Sequence, residues 1–338
     1  MADFNDDTRL DLIAIGDNNT IDVLIGVGDG RFNHAANYAT GERPISITSG
    51  DFNNDDELDI VIANYENETI SLLLGNGDGT FQNQTTFRTG IRPVNVIQGD
   101  FNNDMVPDVA IANEGEDTVS ILFSRGDGTF RPQRRFPVNG FGVQYIAAGD
   151  FNNDGSLDIA VTYGGRNLYL LVNYGNGSFS DPITQQLDCD SAFIVTADFN
   201  NDTNIDIAVT DINDNMIGVL LGNGNGSFEK ASSFSTREHP AFTRTADFNN
   251  DHKLDLIVST VKNRTISVSL GNGDGTFDSP VIYNYNSTPG RLAIGDFNHD
   301  KKLDVAAANF YSNEICIELG NGDGSLYNDG CITLDDFS

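Results

Sequence analysis

The chain has 338 residues, 50 of them acidic against 19 basic, for a formal charge of −31. That balance excludes the phosphate backbone of nucleic acid as a main partner, because there is no basic face to release counterions. No apolar run approaches the roughly 18 residues that a membrane helix needs, which excludes a helical span and reads as a soluble protein.

The first predicted element is a loop. Asp3, Asn5 and Asp7 put side-chain oxygens on alternate residues, the peptide carbonyl of Arg9 falls at the seventh position, and Asp11 closes the set at the ninth. Carboxylates mixed with an amide and a carbonyl suit calcium, which takes roughly six to eight oxygens in a flexible shell, better than magnesium or manganese. The pattern returns at Asp51, Asn53, Asp55, Glu57 and Asp59 and there opens a full repeat. Residues 60–64 (IVIAN) read as a β-branched strand, YENE as a polar turn, and 69–75 (TISLLLG) as an antiparallel neighbour. The hairpin NGDGT at 76–80 supplies the Gly and Asp that tight turns require, 81–87 returns as a polar outer strand, and 92–100 leads as an inner strand into the next loop. Four strands per period, with no helical periodicity, is the composition of a propeller blade.

The third loop is Asp100, Asn102, Asp104, Val106 and Asp108; with Met105 and Pro107 inside it, it departs furthest from the pattern. The fourth, DFNNDGSLD, is the fullest: Asp150, Asn152, Asp154, Ser156 and Asp158. The fifth is Asp198, Asn200, Asp202, Asn204 and Asp206, and the sixth Asp247, Asn249, Asp251, Lys253 and Asp255. The seventh is Asp296, Asn298, Asp300, Lys302 and Asp304. Loop starts are separated by 48, 49, 50, 48, 49 and 49 residues, and all four acidic or amide positions are kept in every copy. A solvated Asp/Asn turn has no need of a further Asp at one fixed distance seven times over. An EF-hand is excluded, because its twelfth residue is a bidentate Glu and here it is Ala14, Ile62, Ile111, Val161, Val209, Val258 or Ala307. Position six, where an EF-hand turns on Gly, is Gly only at Gly155; Thr8, Asp56, Met105, Thr203, His252 and Lys301 elsewhere imply that another residue absorbs the turn.

A period near 49 repeated seven times predicts an all-β, seven-bladed β-propeller of four-stranded antiparallel blades, one domain over residues 1–338. The Phe after each first Asp (Phe4, Phe52, Phe101, Phe151, Phe199, Phe248, Phe297) reads as a core anchor, and GNGDGTF with its variants as hairpin turns. These motifs resemble the FG-GAP, or VCBS, repeats that build the seven-bladed head of integrin α subunits, and the resemblance covers nearly the whole chain. It implies the propeller fold, calcium in an Asp-rich nine-residue loop, and an extracellular setting. It implies no particular partner.

From the loops themselves, up to seven structural calcium ions are expected, with a stability that depends on them. Millimolar calcium and eight Asn-x-Ser/Thr sequons, at Asn18, Asn67, Asn83, Asn176, Asn201, Asn225, Asn263 and Asn286, point to a secreted or cell-surface glycoprotein. The chain opens at MADFND with no charged-then-apolar leader, so an export signal is expected to be removed or to lie upstream.

Because each loop supplies a nearly complete shell, the expected function is a calcium-stabilised binding, adhesion or structural (matrix or filament) module without catalysis, engaging an extracellular protein or glycan. The alternative is a carbohydrate-active enzyme, a polysaccharide lyase or hydrolase, on the same scaffold; of the four His, His252 and His299 sit inside the acidic loops, His34 and His239 have no repeated acidic or nucleophilic partner, and Trp is absent. The triplet Arg125-Gly126-Asp127 at a hairpin tip would suit an integrin ligand, but it arises when one Arg replaces Asn in the repeated turn.

Two features concern the ends. Cys316 and Cys331 flank the last GNGDG turn and are read equally as a staple across a hairpin or as buried apolar residues; in the first case Cys189 is unpaired. The first repeat has only Met1 and Ala2 ahead of its loop, so it lacks an inner strand. The tail from Cys331 is expected to supply that strand; if it lies instead in the seventh blade, the open slot accepts a strand from another molecule.

Overall fold

The computed structural model describes residues 1–16, 18–138, 140, 142–236, 239–309 and 311–334. These form seven antiparallel sheets, each a propeller blade, and the fold class is the all-β seven-bladed propeller. Sheet 1 holds β1 (Leu12–Gly16), β2 (Thr20–Gly26) and β3 (Phe32–Ala39). Sheet 2 holds β4 (Pro44–Gly50), β5 (Asp59–Asn64), β6 (Thr69–Leu73) and β7 (Thr85–Arg88). Sheet 3 holds β8 (Pro93–Gly99), β9 (Asp108–Asn113), β10 (Thr118–Leu122) and β11 (Arg134–Pro137). Sheet 4 holds β12 (Tyr145–Gly149), β13 (Asp158–Thr162), β14 (Asn167–Leu171) and β15 (Ile183–Gln186). Sheet 5 holds β16 (Ser191–Ala197), β17 (Asp206–Asp211), β18 (Met216–Gly222) and β19 (Phe228–Ser235). Sheet 6 holds β20 (Pro240–Ala246), β21 (Asp255–Thr260), β22 (Thr265–Ser269) and β23 (Val281–Asn284). Sheet 7 holds β24 (Pro289–Gly295), β25 (Asp304–Asn309), β26 (Glu314–Gly320) and β27 (Leu326–Thr333).

Two compact units contain these sheets: Met1–Ile25 with His34–Gln186, and Gly26–Asn33 with Leu187–Ser338. In the first, cores form where neighbouring sheets face one another, for example Phe52, Val61 and Ile70 against Val96, Val109 and Ile111. In the second, Phe248, Ile257 and Val268 pack on Leu292, Val305 and Ala307. The second strands β5, β9, β13, β17 and β21 are buried at every position. A strand covered on both faces is written as an unbroken apolar run, which IVIA at 60–63 and IAV at 159–161 are. The outer strands β7, β11, β15 and β23 have four residues each and are mostly exposed, so they present little edge for aggregation.

Sheet 1 departs from the expected four strands. Among the described residues it has three, plus one bridge between Ala2 and Asp11. Its β1 is accordingly less covered than its counterparts, with Ile13, Ile15 and Gly16 half-buried. The expectation that the tail supplies the missing strand is corrected: β27 pairs with β26 as the outer strand of sheet 7, Cys316 opposite Cys331. Those two cysteines are joined in a disulfide, and Cys189 is free. The hairpin wins because its two halves are adjacent in the chain and close a short loop. Asp335, Asp336 and Phe337 lie outside the described residues.

Candidate metal centres

Each loop sits between the first and second strands of its sheet, or directly before β1 in sheet 1, and its ninth-position Asp marks the entry to the second strand. Asp11, Asp59, Asp108, Asp158, Asp206, Asp255 and Asp304 are all fully buried. Each uses one carboxylate oxygen to accept the N–H of the loop Phe, as Asp59 does from Phe52 at 2.8 Å and Asp304 from Phe297 at 2.8 Å. In sheets 2 to 7 the other oxygen accepts an N–H beyond the end of the third strand or at it, from Gly75, Ser124, Asn173, Gly222, Gly271 and Gly320 at 2.8 to 2.9 Å. The ninth residue therefore ties its loop to its own blade.

The first-position Asp is half-buried and turns its carboxylate toward the loop's interior N–H groups. Asp150 accepts from Asp154 N–H at 3.0 Å and from Gly155 N–H at 2.8 Å, and the other six loops repeat both bonds with residues five and six. The third-position oxygens of Asn5, Asn53, Asn152, Asn200, Asn249 and Asn298 accept the fifth N–H at 2.9 to 3.2 Å. Asn102 is the exception: its Oδ1 is buried and has no hydrogen-bond partner among the described residues. A buried amide oxygen without a donor is costly, and a cation would satisfy it. The third loop, which departs furthest in sequence, thus carries the side-chain oxygen that a cation would suit most directly.

The fifth position, Asp55, Asp104, Asp154, Asp202, Asp251 and Asp300, is exposed, and Asp7 half-buried, so each loop has a sealed floor and an open mouth. Side chains at the seventh position lean over that mouth in three loops: Arg9 to Asp7 at 3.7 Å, Lys253 to Asp251 at 3.8 Å and Lys302 to Asp300 at 3.3 Å. Glu57, Val106, Ser156 and Asn204 occupy the same position in the others, which leaves the peptide carbonyl as the one donor common to all seven.

The expectation about the turn is corrected. All seven sixth-position residues adopt left-handed backbone, from φ 64° at His252 and Lys301 to 84° at Gly155, whatever their side chain. The fourth position, Asp6, Asn54, Asn103, Asn153, Asn201, Asn250 and His299, does the same at φ 56° to 59°. The sixth residue thus makes its part of the turn itself, and its N–H meets the first carboxylate. Such backbone is costly for Met105 or Thr203 and persists because the surrounding bonds over-determine it.

Burial pushes the ninth carboxyl up, to about 6 in Asp59, Asp158, Asp206 and Asp304 and about 7 in Asp108. The backbone bonds oppose this, and the fifth and first carboxylates of the same loop add to it. Three carboxylates around one buried floor therefore repel each other unless a positive charge sits among them. The one described cluster of three His, Cys, Asp or Glu with ligand atoms within 4.8 Å is Glu314, Cys316 and Cys331, and its sulfurs are bonded to each other. Loop carboxylates stand further apart, as like charges do. Their oxygen-only donor set fits a hard divalent ion, with the first, third, fifth and ninth side chains and the seventh carbonyl holding it.

The Phe residues are the core anchors expected, at most 5% exposed. Sequence reasoning missed what they anchor. Phe4 packs edge-on against Phe81 of the next repeat (5.6 Å), Phe52 against Phe130 (5.7 Å) and Phe199 against Phe277 (5.7 Å). The carbonyls of Phe4, Phe52, Phe199 and Phe248 accept N–H bonds from Gly79, Gly128, Gly275 and Gly324 of the following hairpin turn. Acidic loop and glycine turn are thus one joint between successive blades, and their shared period was the available signal.

His34 Nε2 lies 3.0 Å from Asp22 Oδ1, both nearly buried. The pair occupies the cross-strand position that Ser120 and Gln133 fill in sheet 3, at 2.7 Å, so it is a brace between strands. Asp127 of the Arg-Gly-Asp triplet accepts from the N–H and hydroxyl of Thr129 within its own turn.

An FG-GAP-like repeat model matches the chain in six overlapping windows, residues 3–62, 51–111, 100–161, 150–209, 198–258 and 247–307. The chain belongs to the FG-GAP-like repeat family. Among curated proteins none matches the sequence of this FG-GAP-like chain. Among solved structures it is similar to a putative 6-phosphogluconolactonase from Bacteroides uniformis, with TM-score 0.73 and 15% identity over 94% of this chain and 93% of that one. It is similar to the periplasmic gluconolactonase PpgL of Pseudomonas aeruginosa, with TM-score 0.70 and 12% identity over 95% of each chain. BBS1N, crystallised in complex with ARL6DN, resembles it with TM-score 0.66 and 15% identity over 91% of this chain and 87% of that one.

These likenesses show the fold, and they correct the expectation of a module without catalysis. Two of the three solved propellers are named as lactonases, so the fold gives no ground for excluding chemistry. The third holds a protein partner, and no helix among the described residues is long and apolar enough to cross a membrane.

Proposed function

We propose that this FG-GAP-like protein is a calcium-stabilised propeller enzyme acting on a small carbohydrate derivative, with hydrolysis of a sugar lactone as the reaction. The supporting observation is a match over more than nine-tenths of both chains to two propellers named as lactonases. Up to seven calcium ions are structural in this reading: they bind the oxygen-rich loops and fix the joints between blades, leaving chemistry to side chains that vary between repeats. Residues 1–338 act as a single propeller. An extracellular or surface location suits seven sites fed by millimolar calcium, and the sequons make it a glycoprotein.

The test is hydrolysis of gluconolactone and 6-phosphogluconolactone by calcium-loaded protein, followed by pH-stat with the spontaneous rate subtracted. Turnover above background that falls on chelation and returns with calcium is expected. Rates equal to the uncatalysed reaction for both lactones overturn the reading.

On the partner side, we place an extracellular protein or glycan, and a second copy of the chain at the edge of β1 on which no described strand pairs. Exposed strand edges accept a further strand through backbone hydrogen bonds. A monomeric sedimentation profile at high concentration would count against the second copy.

A further inference from the structure

The first strands of sheets 5, 6 and 7 carry two arginines that pack on two phenylalanines. Counting back four residues from the end of the first strand gives Ser46, Asn95, Tyr145, Phe193, Phe242 and Arg291 in successive sheets. In sheets 2 to 4 the polar members close on each other and on backbone. Asn95 donates to Ser46 Oγ at 3.2 Å, as does Val96 N–H, and Ile146 N–H donates to Asn95 Oδ1 at 3.0 Å.

In the second unit the same positions hold aromatic and cationic side chains instead. Phe193 on β16 meets Phe242 on β20 edge-on, with centroids 5.4 Å apart and planes at 73°. Arg244, two residues beyond Phe242 on the same face of β20, lays its guanidinium 5.5 Å from the Phe193 centroid. Arg291 on β24 lays its guanidinium 5.2 Å from Phe242. Each arginine packs back on the Phe of the preceding blade, so two guanidinium groups are set by aromatic faces that accept no conventional hydrogen bonds.

Both arginines keep part of their surface exposed. Among the described residues no carboxylate, carbonyl or hydroxyl accepts a hydrogen bond from the Arg244 guanidinium. Burial, reinforced by the neighbouring charge of Arg291, pushes its pKa down to about 10. In a chain with 50 acidic residues, a desolvated arginine beside another arginine and without a carboxylate is a charge pattern that costs stability. A guanidinium fork matches the oxygens of carboxylate and phosphate, and among the described residues Arg244 has no such group as acceptor.

We propose that Arg244 and Arg291, stacked on Phe193 and Phe242 across the first strands of sheets 5 to 7, bind the oxyanion group of a small organic ligand, a carboxylate or a phosphate monoester. The site stands on this geometry and does not depend on the lactonase reading. Where that reading holds, it names the part of the substrate or product that is gripped.

Calorimetric titration of the full chain in calcium buffer tests it, with gluconate as the carboxylate probe, glucose 6-phosphate as the phosphate probe and glucose as the uncharged control. At least one anion is expected to bind and glucose to give no heat. Arg244→Gln with Arg291→Gln is expected to weaken that binding at least about tenfold, with calcium content and far-ultraviolet dichroism unchanged. Arg244→Lys, which keeps the charge and loses the fork, is expected to weaken it less, and it decides the matter if the double variant does not fold. The proposal is overturned if neither anion binds more tightly than about 10 mM, or if the variants bind as the parent does. Binding is read without turnover, so inactivity on lactones leaves this result unaffected.

Discussion

At the scale of single residues, the sixth position of each loop is where side-chain identity and backbone need are in open conflict. Met105 holds φ 67° with its side chain 91% exposed, so the strain there is not repaid by packing. Left-handed backbone costs an L-residue about 1 to 2 kcal/mol, against which glycine's extra unfolded-state entropy is about 0.5 to 1 kcal/mol. Met105→Gly is therefore expected to stabilise by about 0.5 kcal/mol at constant calcium, read as a higher urea midpoint. The converse change is cleaner. A Cβ added at Gly155 meets nothing within 4 Å, yet φ is 84°, so Gly155→Ala tests backbone strain without a clash. It is expected to cost about 1 kcal/mol; a neutral result would mean that the loops store no strain at this position.

At the scale of one element, β27 is held by its pairing with β26 and by the Cys316–Cys331 bond. A cross-link spanning 15 residues removes unfolded-state freedom in proportion to the loop it closes. Reduction, or replacement of both cysteines by Ala, is expected to lower stability by about 3 kcal/mol. Denaturant midpoints with and without reductant measure the loss, and hydrogen exchange should show β27 amides opening first. An unchanged midpoint once three free thiols are titrated would show that strand pairing alone holds β27.

For the whole molecule, charge is the dominant fact. The formal charge of −31 gathers in large part in seven loops, each with three carboxylates around a buried floor. Ions that bind only the folded form contribute about 2.7 kcal/mol per site at a hundredfold excess over Kd. Exhaustive chelation is therefore expected to lower the melting temperature by at least about 10 °C, and restored calcium to recover it. Equal melting curves in chelator and calcium would remove the ions from any structural role. Because the loops of Phe4, Phe52, Phe199 and Phe248 also carry a carbonyl that meets the next blade, loosening should spread from joint to joint instead of staying within one sheet.

Much of this was written locally. The Asp-x-Asn-x-Asp spacing, the period near 49 and the β-branched runs after each loop depend only on neighbouring residues, so blade count, strand order and the candidate ligand set were legible in the sequence. Side-chain chemistry at alternate positions is visible without coordinates. What tertiary structure decided involves partners far apart in the chain or backbone angles that composition does not encode. Whether the tail joins sheet 1 or sheet 7 is a competition between two pairings of similar sequence, settled by the short hairpin through Asn321–Ser325. The left-handed sixth residue follows from where its N–H must point, and the stacking of Arg244 on Phe193 joins residues 51 positions apart that become neighbours only when two blades pack.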